Sequence, residues 1–408
     1  MEYYQENLKI HSTYERQFND VGWLWKVVLS ISCLTCFYGY WLNNNYLLTT
    51  INFFLVFLVW IIKERRILYR KSDIIFGTLI IVFLLSSISS PNRTEAFKYV
   101  FSLSQLFLLA ICLQSNKLWS KYFLKISYIL SFGHVLATAA YYVIPEQIDR
   151  IRIVVLNPEA LDITNKLLRS GLNSGIAPQT GNNAYYISVF VGISFSYILK
   201  FLEKKNNKLV FFHLLLMLIG LSMLIATGKR GPLLSVAISV ILVTIIYILS
   251  STASTKNFFI IGLIGLISLL VLINTSVFKN LIEMISLKQG DNFLSGRSLL
   301  WSDTLKTFEA YPFFGQGLLS MRLKLGLDSH NVYLQLLAET GLVGFLTFIW
   351  FTTSRLINSA VLMFNKVKSE TSIFSLYFQI FFLCYCFTGN PIYNLNLFVF
   401  YIIFISIR

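Results

Sequence analysis

Apolar runs of about 20 residues, the length that crosses a bilayer as a helix, recur along this chain with little charge inside them. Backbone N–H and C=O groups in hydrocarbon must pair internally. Such runs therefore become helices, not open strands. Twelve spans are predicted, at about 24–42, 46–62, 74–90, 98–113, 122–143, 184–202, 209–227, 232–250, 258–274, 331–352, 371–388 and 392–407. The chain is only 13% charged, against about 25% for a soluble domain. The expectation is an all-α, polytopic integral membrane protein, with residues 1–408 forming one transmembrane domain. The first run follows a charged leader and lacks a small-residue cleavage site, so it reads as a retained span.

Basic residues alternate between sides. Lys63, Arg65, Arg66, Arg70 and Lys71 crowd one loop; Lys204, Lys205 and Lys208, then Lys256, then Arg355, Lys366 and Lys368 follow in alternate connections. By the positive-inside rule both termini face the cytoplasm. The net charge of +15 is thereby topological. No basic stripe with interleaved stacking residues accompanies it, and nucleic acid is excluded as a partner. The five cysteines, among them Cys33 and Cys36 in a CxxC spacing, lie in or beside apolar runs without a second ligand pair. They read as small buried hydrophobes, and no metal site is predicted.

Two long segments fall on the outer side, 144–183 and 275–330. Connections this long serve as lids or binding elements. In the second, Leu300, Trp301, Thr304, Leu305 and Phe308 recur at helical spacing, which predicts a short helix over 298–310 stopped by Pro312. Gly315 and Gly317 then punctuate a turn that lets backbone approach a ligand. Three polar residues stand out between spans: Arg230, Arg297 and His330. Each has a plain alternative. His330 can sit idle at an interface while Asn331 starts the next helix; Arg297 can snorkel or pair with Asp291; Arg230 can anchor the end of a span. Lys229 and Arg230 in a tight Gly–Pro break favour an anion site instead, because a guanidinium fork pairs with phosphate through two parallel bonds.

Three fragments carry a family resemblance: ATGKRGPLLS with Arg230, SGRSLLWSDTLKTFEAYPFFGQGLLS with Arg297, and DSHNVYLQLLAETGLVGFL with His330. In order, spacing and topology the set resembles the O-antigen ligase and Wzy-type polysaccharide polymerase superfamily. LLRSGLNSGIAPQTGNN is similar to the outer motif before a span, and Lys229 replaces the serine that many relatives carry.

The resemblance implies a fold like the GT-C type membrane glycosyltransferases, in a bacterial cytoplasmic membrane, with the active site on the extracytoplasmic side. It implies a donor oligosaccharide on undecaprenyl diphosphate, attacked by an acceptor hydroxyl, with no cofactor or metal. His330 would be the base, and Arg230 and Arg297, assisted by Lys229, would stabilise the leaving diphosphate. Trp301 and Tyr311 would stack on sugars or anchor at the interface; Arg169, Gln179, Asn182 and Asn331 would contact substrate; the 298–310 helix with Gly315 and Gly317 would form a moving roof. Partners would include membrane lipid, a flippase and a chain-length regulator. The Lys-, Asn- and Ile-rich composition favours a polymerase of capsule, exopolysaccharide or O-antigen repeats over a ligase acting on lipid A–core. A lipid-linked sugar transporter is a third reading. It is disfavoured because no half-repeat relates 24–202 to 209–407.

Overall fold

The computed structural model describes residues 22–407 apart from 43, 65, 66, 69, 117, 251–296, 327 and 365–367. The span expected at 258–274, the 275–296 part of the second outer segment and Asp291 lie outside the described residues. No strand occurs among those described.

In chain order the helices are α1 (Trp23–Tyr38), α2 (Asn45–Lys63), α3 (Lys71–Ser89), α4 (Arg93–Gln114), α5 (Trp119–Ala140), α6 (Pro145–Val155), α7 (Pro158–Arg169), α8 (Thr180–Glu203), α9 (Asn207–Ala226), α10 (Arg230–Leu249), α11 (Arg297–Ala310), α12 (Ser320–Leu325), α13 (Val332–Phe364), α14 (Glu370–Tyr385) and α15 (Leu395–Ile405). Local chemistry starts several of them. Asn44, Asn92, Asn157, Asn206 and Ser369 each accept a backbone N–H three residues on, and Pro145 and Pro158 open α6 and α7.

Among the described residues, eight helices are long and apolar enough to cross a membrane: α2, α3, α4, α5, α8, α9, α10 and α13. The chain is an all-α polytopic membrane protein. Three of the twelve expected spans are shorter helices, α1 and α14 of 16 residues and α15 of 11. The physical reason is backbone breaks inside the apolar runs. A 3₁₀ turn at Gly39–Leu42 ends α1, and turns over 386–394 separate α14 from α15. At 1.5 Å per residue α15 spans only about 17 Å, and all 11 of its residues are buried.

The helices sort by environment. α8 packs against α5, α9, α10 and α14, while α15 packs against α1, α2, α4, α13 and α14. α9 and α10 lie at the rim and turn Phe211, Phe212, Leu215, Leu234, Ile241 and Ile245 outward. An apolar outer face suits lipid, where a soluble bundle would be polar. Inside, Arg355 of α13 forms a buried ion pair with Asp73 of α3, and Gln114 Nε2 donates to the same carboxylate at 3.1 Å. Arg70 donates to the carbonyls of Ile405, Ser406 and Ile407 at the end of α15.

α13 is broken at Gly341, whose backbone is non-helical at φ 63° and ψ −167°. The break frees polar groups, and the 312–317 turn takes them up. Gln316 N and Gly317 N donate to the carbonyls of Ala338 and Glu339, while Leu342 N and Val343 N donate to those of Pro312 and Phe313. The approach is close. A Cβ on Gly315 would lie 2.3 Å from the Glu339 carbonyl, and one on Gly341 would lie 2.3 Å from that of Phe313.

Candidate functional site

The elements leave a cavity of about 990 Å³ at one end of the bundle. The N-terminal turns of α7, α8, α10, α11 and α15 line it, joined by the segment before α13 and the turns after α14. Helix N-termini carry partial positive charge, and several around one space favour an anion. The cavity lies at the start of α15, whereas Arg70 holds that helix's far end. The loop containing Arg70 is therefore at the opposite end of the bundle.

The Arg230 wall is built by a sharp helix-to-helix break. Thr227 N and Gly228 N donate back to Leu224 and Ile225, and Gly228 takes a left-handed φ of 67° that ends α9. Lys229 N donates to Thr227 Oγ1 at 3.3 Å, and α10 begins at Arg230. Gly231 lies under Thr388, with no room for a Cβ. This packing ties the basic turn to the stretch after α14.

Arg297 opens α11 and donates from Nη1 to the Thr388 carbonyl at 3.2 Å. Burial pulls its pKa below the ordinary arginine value, against the effect of Tyr385. A guanidinium nonetheless stays charged at any working pH. One turn on, Trp301 lines the cavity, and its Nε1 donates to the Ser329 carbonyl at 3.0 Å.

His330 is exposed to the cavity and has a left-handed backbone, φ 54°. Its pKa is held below 6.5, first by burial and then by the charges of Arg297 and Lys229, with Asp328 opposing. A lowered pKa keeps the imidazole neutral near pH 7, the form that accepts a proton. Electrostatically the cavity is cationic: Lys229, Arg230, Arg297 and Arg322 face Glu159 and Asp328.

Residues 215–349 carry an O-antigen ligase family domain. The match covers about a third of the chain and includes Lys229, Arg230, Arg297, Trp301, Arg322, Asp328 and His330. No curated protein matches the sequence. Other walls of the cavity come from outside the O-antigen ligase family domain, through α7, the start of α8 and the 385–397 stretch.

Of the residues singled out from sequence, the cavity gathers Gln179, Asn182, Lys229, Arg230, Arg297, Trp301 and His330. Others lie elsewhere. Gly315 and Gly317 make close approaches to protein backbone at 339–340 and 89–90 and do not line this cavity. The turn they form is hydrogen-bonded into the α13 break. Tyr311 borders a separate small recess with Ser89, Ser90, Arg93 and Gln316. Asn331 is buried, and its side-chain oxygen accepts from Tyr333 N and Leu334 N, so it starts α13. Arg169 is exposed at the end of α7 and does not line the cavity, although Leu167 and Leu172 on either side of it do. The 298–310 helix is observed one residue longer, as α11.

Sequence reasoning passed over Glu159, Arg322, Asp328, Tyr385 and the stretch Thr388–Asn396 as site residues. Asp328 accepts from Gln335 Nε2 at 3.3 Å. A signal existed for the last stretch. GNPIYNLN places three asparagines and a Gly–Asn–Pro turn between two apolar runs, and irregular polar backbone in a membrane protein normally lines a cavity.

Proposed function

We propose that the protein transfers a glycan from a polyprenyl diphosphate carrier to an acceptor hydroxyl at the extracytoplasmic face of a bacterial cytoplasmic membrane. The observation that carries this reading is the convergence of Arg230, Arg297 and Lys229 with His330 on one cavity. All four of these residues belong to the O-antigen ligase family domain, which supplies about a third of the cavity's lining.

The acceptor oxygen attacks the anomeric carbon of the donor sugar. The bond from that carbon to the diphosphate oxygen breaks, and the diphosphate leaves with the electron pair. Arg297 and Arg230 stabilise the charge that grows there, and their fork geometry suits two phosphate oxygens. His330 takes the acceptor proton, for which a neutral imidazole is required. The α10 N-terminus adds fixed positive potential beside Arg230. Gln179 and Asn182 supply amides, and Trp301 and Tyr385 supply aromatic faces, that suit sugar hydroxyls and rings.

The family description favours ligase chemistry, in which the glycan passes to a separate acceptor such as lipid A–core. The Lys-, Asn- and Ile-rich composition favours the second reading, a polymerase that extends repeats of a capsule, exopolysaccharide or O-antigen on the lipid carrier. Working partners are undecaprenyl-diphosphate-linked oligosaccharide, the flippase that delivers it and, for a polymerase, a chain-length regulator. The position of the cavity opposite the Arg70 loop supports an extracytoplasmic site with cytoplasmic termini, because that loop is rich in Lys and Arg.

The test is purified protein in nanodiscs with synthetic undecaprenyl-diphosphate oligosaccharide, with and without a separate acceptor. Transfer only onto the added acceptor supports the ligase. A ladder of longer lipid-linked chains from donor alone supports the polymerase. No turnover with any lipid-linked donor, by protein that still binds it, would sink both.

A further inference from the structure

A non-glycine residue in the left-handed region persists only where its surroundings over-determine it, and His330 is such a residue. Its neighbours Ser329 and Asn331 are both buried. Ser329 N donates to Gln335 Oε1 at 3.1 Å, and Ser329 Oγ lies 3.2 Å from the same oxygen. Ser329 Oγ has one hydrogen, and its shorter contact is to the Asn331 carbonyl at 2.8 Å. Asn390 Nδ2 donates to Gln335 Oε1 at 3.1 Å. The two lone pairs of the amide oxygen are thus filled by Ser329 N and Asn390 Nδ2.

The other half of the amide is equally committed. Gln335 Nε2 donates to Asp328 Oδ1 at 3.3 Å and to Glu339 Oε1 at 3.1 Å. Glu339 is buried and is held in turn by Tyr393 Oη at 2.8 Å. Gln335 itself is fully buried and does not line the cavity. Only an amide satisfies two donors and two acceptors at this point. A carboxylate would face Glu339 and Asp328, and an apolar side chain would leave Ser329 N unpaired.

The bonds also form a circuit. Trp301 Nε1 donates to the Ser329 carbonyl, Trp301 stands one helical turn from Arg297, Arg297 donates to the Thr388 carbonyl, and Asn390 two residues on returns to Gln335. We infer that Gln335 is the positioning residue that fixes His330 relative to Arg297, through Ser329 on one side and Asn390 on the other. This rests on the proposed role of His330 as the base. The helical register alone would leave the 328–331 segment free to relax to ordinary backbone angles.

The test uses the full-length protein in nanodiscs and two readouts. One is transfer from undecaprenyl-diphosphate oligosaccharide. The other is the pH midpoint for modification of His330 by diethyl pyrocarbonate, which attacks neutral imidazole, assigned by peptide mass spectrometry. Arg297, Lys229 and Asp328 act on the ring, and Arg230, Arg322 and Tyr385 share its cavity. Gln335→Met keeps the volume and removes both functions of the amide. It is expected to lower kcat on the order of 10²-fold, as a displaced catalytic group does, with the donor KM little changed. The His330 midpoint should rise toward the ordinary histidine value as the ring leaves its cations. Trp301→Phe, which keeps an aromatic face and removes one donor, should move both readouts the same way by less, and its His330 midpoint serves as the test if Gln335→Met does not fold. Folded variants with unchanged kcat and unchanged midpoint overturn the inference, as does a raised KM with kcat intact. Full turnover by His330→Ala would overturn the base assignment instead, and a shifted midpoint in Gln335→Met would then still support the positioning.

Discussion

Arg297 Nη1 donates to the Thr388 carbonyl oxygen at 3.2 Å, which fastens the start of α11 to the irregular stretch between α14 and α15. Thr388 also covers Gly231 beside Arg230. One residue outside the O-antigen ligase family domain thus touches both arginine-bearing elements within it.

Loss of Arg297 should cost both anchoring and charge. Arg297→Ala is expected to lower transfer by roughly 10²–10³, the usual cost of removing one well-placed stabilising donor. Arg297→Lys should recover only part, because a point charge lacks the fork. Steady-state kinetics with lipid-linked donor check this; a folded Arg297→Ala protein at full rate would remove the residue from the site.

The pH profile follows from His330. Its pKa lies below 6.5 through burial and the charges of Arg297 and Lys229. The imidazole is active when neutral, so kcat/KM, which reports groups of the free enzyme, should rise with pH through that lowered pKa. Lys229→Met removes one of the charges that lower it, so the acid limb should move to higher pH. A limb that stays put, or moves to lower pH, contradicts this assignment.

Gly341 and Gly315 should resist substitution for steric reasons. Both have positive φ and both touch partner backbone. Gly341→Ala is expected to destabilise by at least about 1–3 kcal/mol, the scale of a strained left-handed residue. Thermal unfolding followed by fluorescence-detected size exclusion reads the effect. An unchanged midpoint would mean the α13 break does not need glycine.

Arg355 and Asp73 form a buried pair joining α13 to α3. Arg355→Met leaves a buried carboxylate without its cation and should cost about 3–5 kcal/mol. Adding Asp73→Asn should restore much of that stability. Equal instability of the single and double variants would show that the arginine acts by packing alone.

Orientation can be read by labelling. A cysteine at Asn182, in the cavity wall, should react in intact cells with a membrane-impermeant maleimide, and one at Lys71 should not. The five native cysteines are buried or half-buried and give a low background. The reverse pattern would turn the bundle over and move the chemistry to the cytoplasmic face.

The membrane class, and the positions of the eight long helices, were legible in the chain itself, because run length and apolar continuity are local properties. So was α11, whose start and stop are written in Arg297–Ala310 and Pro312. The sharp break at Thr227–Pro232 could likewise be read from six consecutive residues. What the tertiary structure alone decided is which distant ends meet. Periodicity could not reveal that the 312–317 turn pairs with the break at Gly341, that 388–396 enters the cavity, or that Gln335 reaches Ser329 and Asn390 together. Those bonds join elements far apart in the chain, or use a side chain whose partners are set by how the helices pack. A helical repeat records which face is apolar, but not which buried amide will find both its donors and its acceptors satisfied.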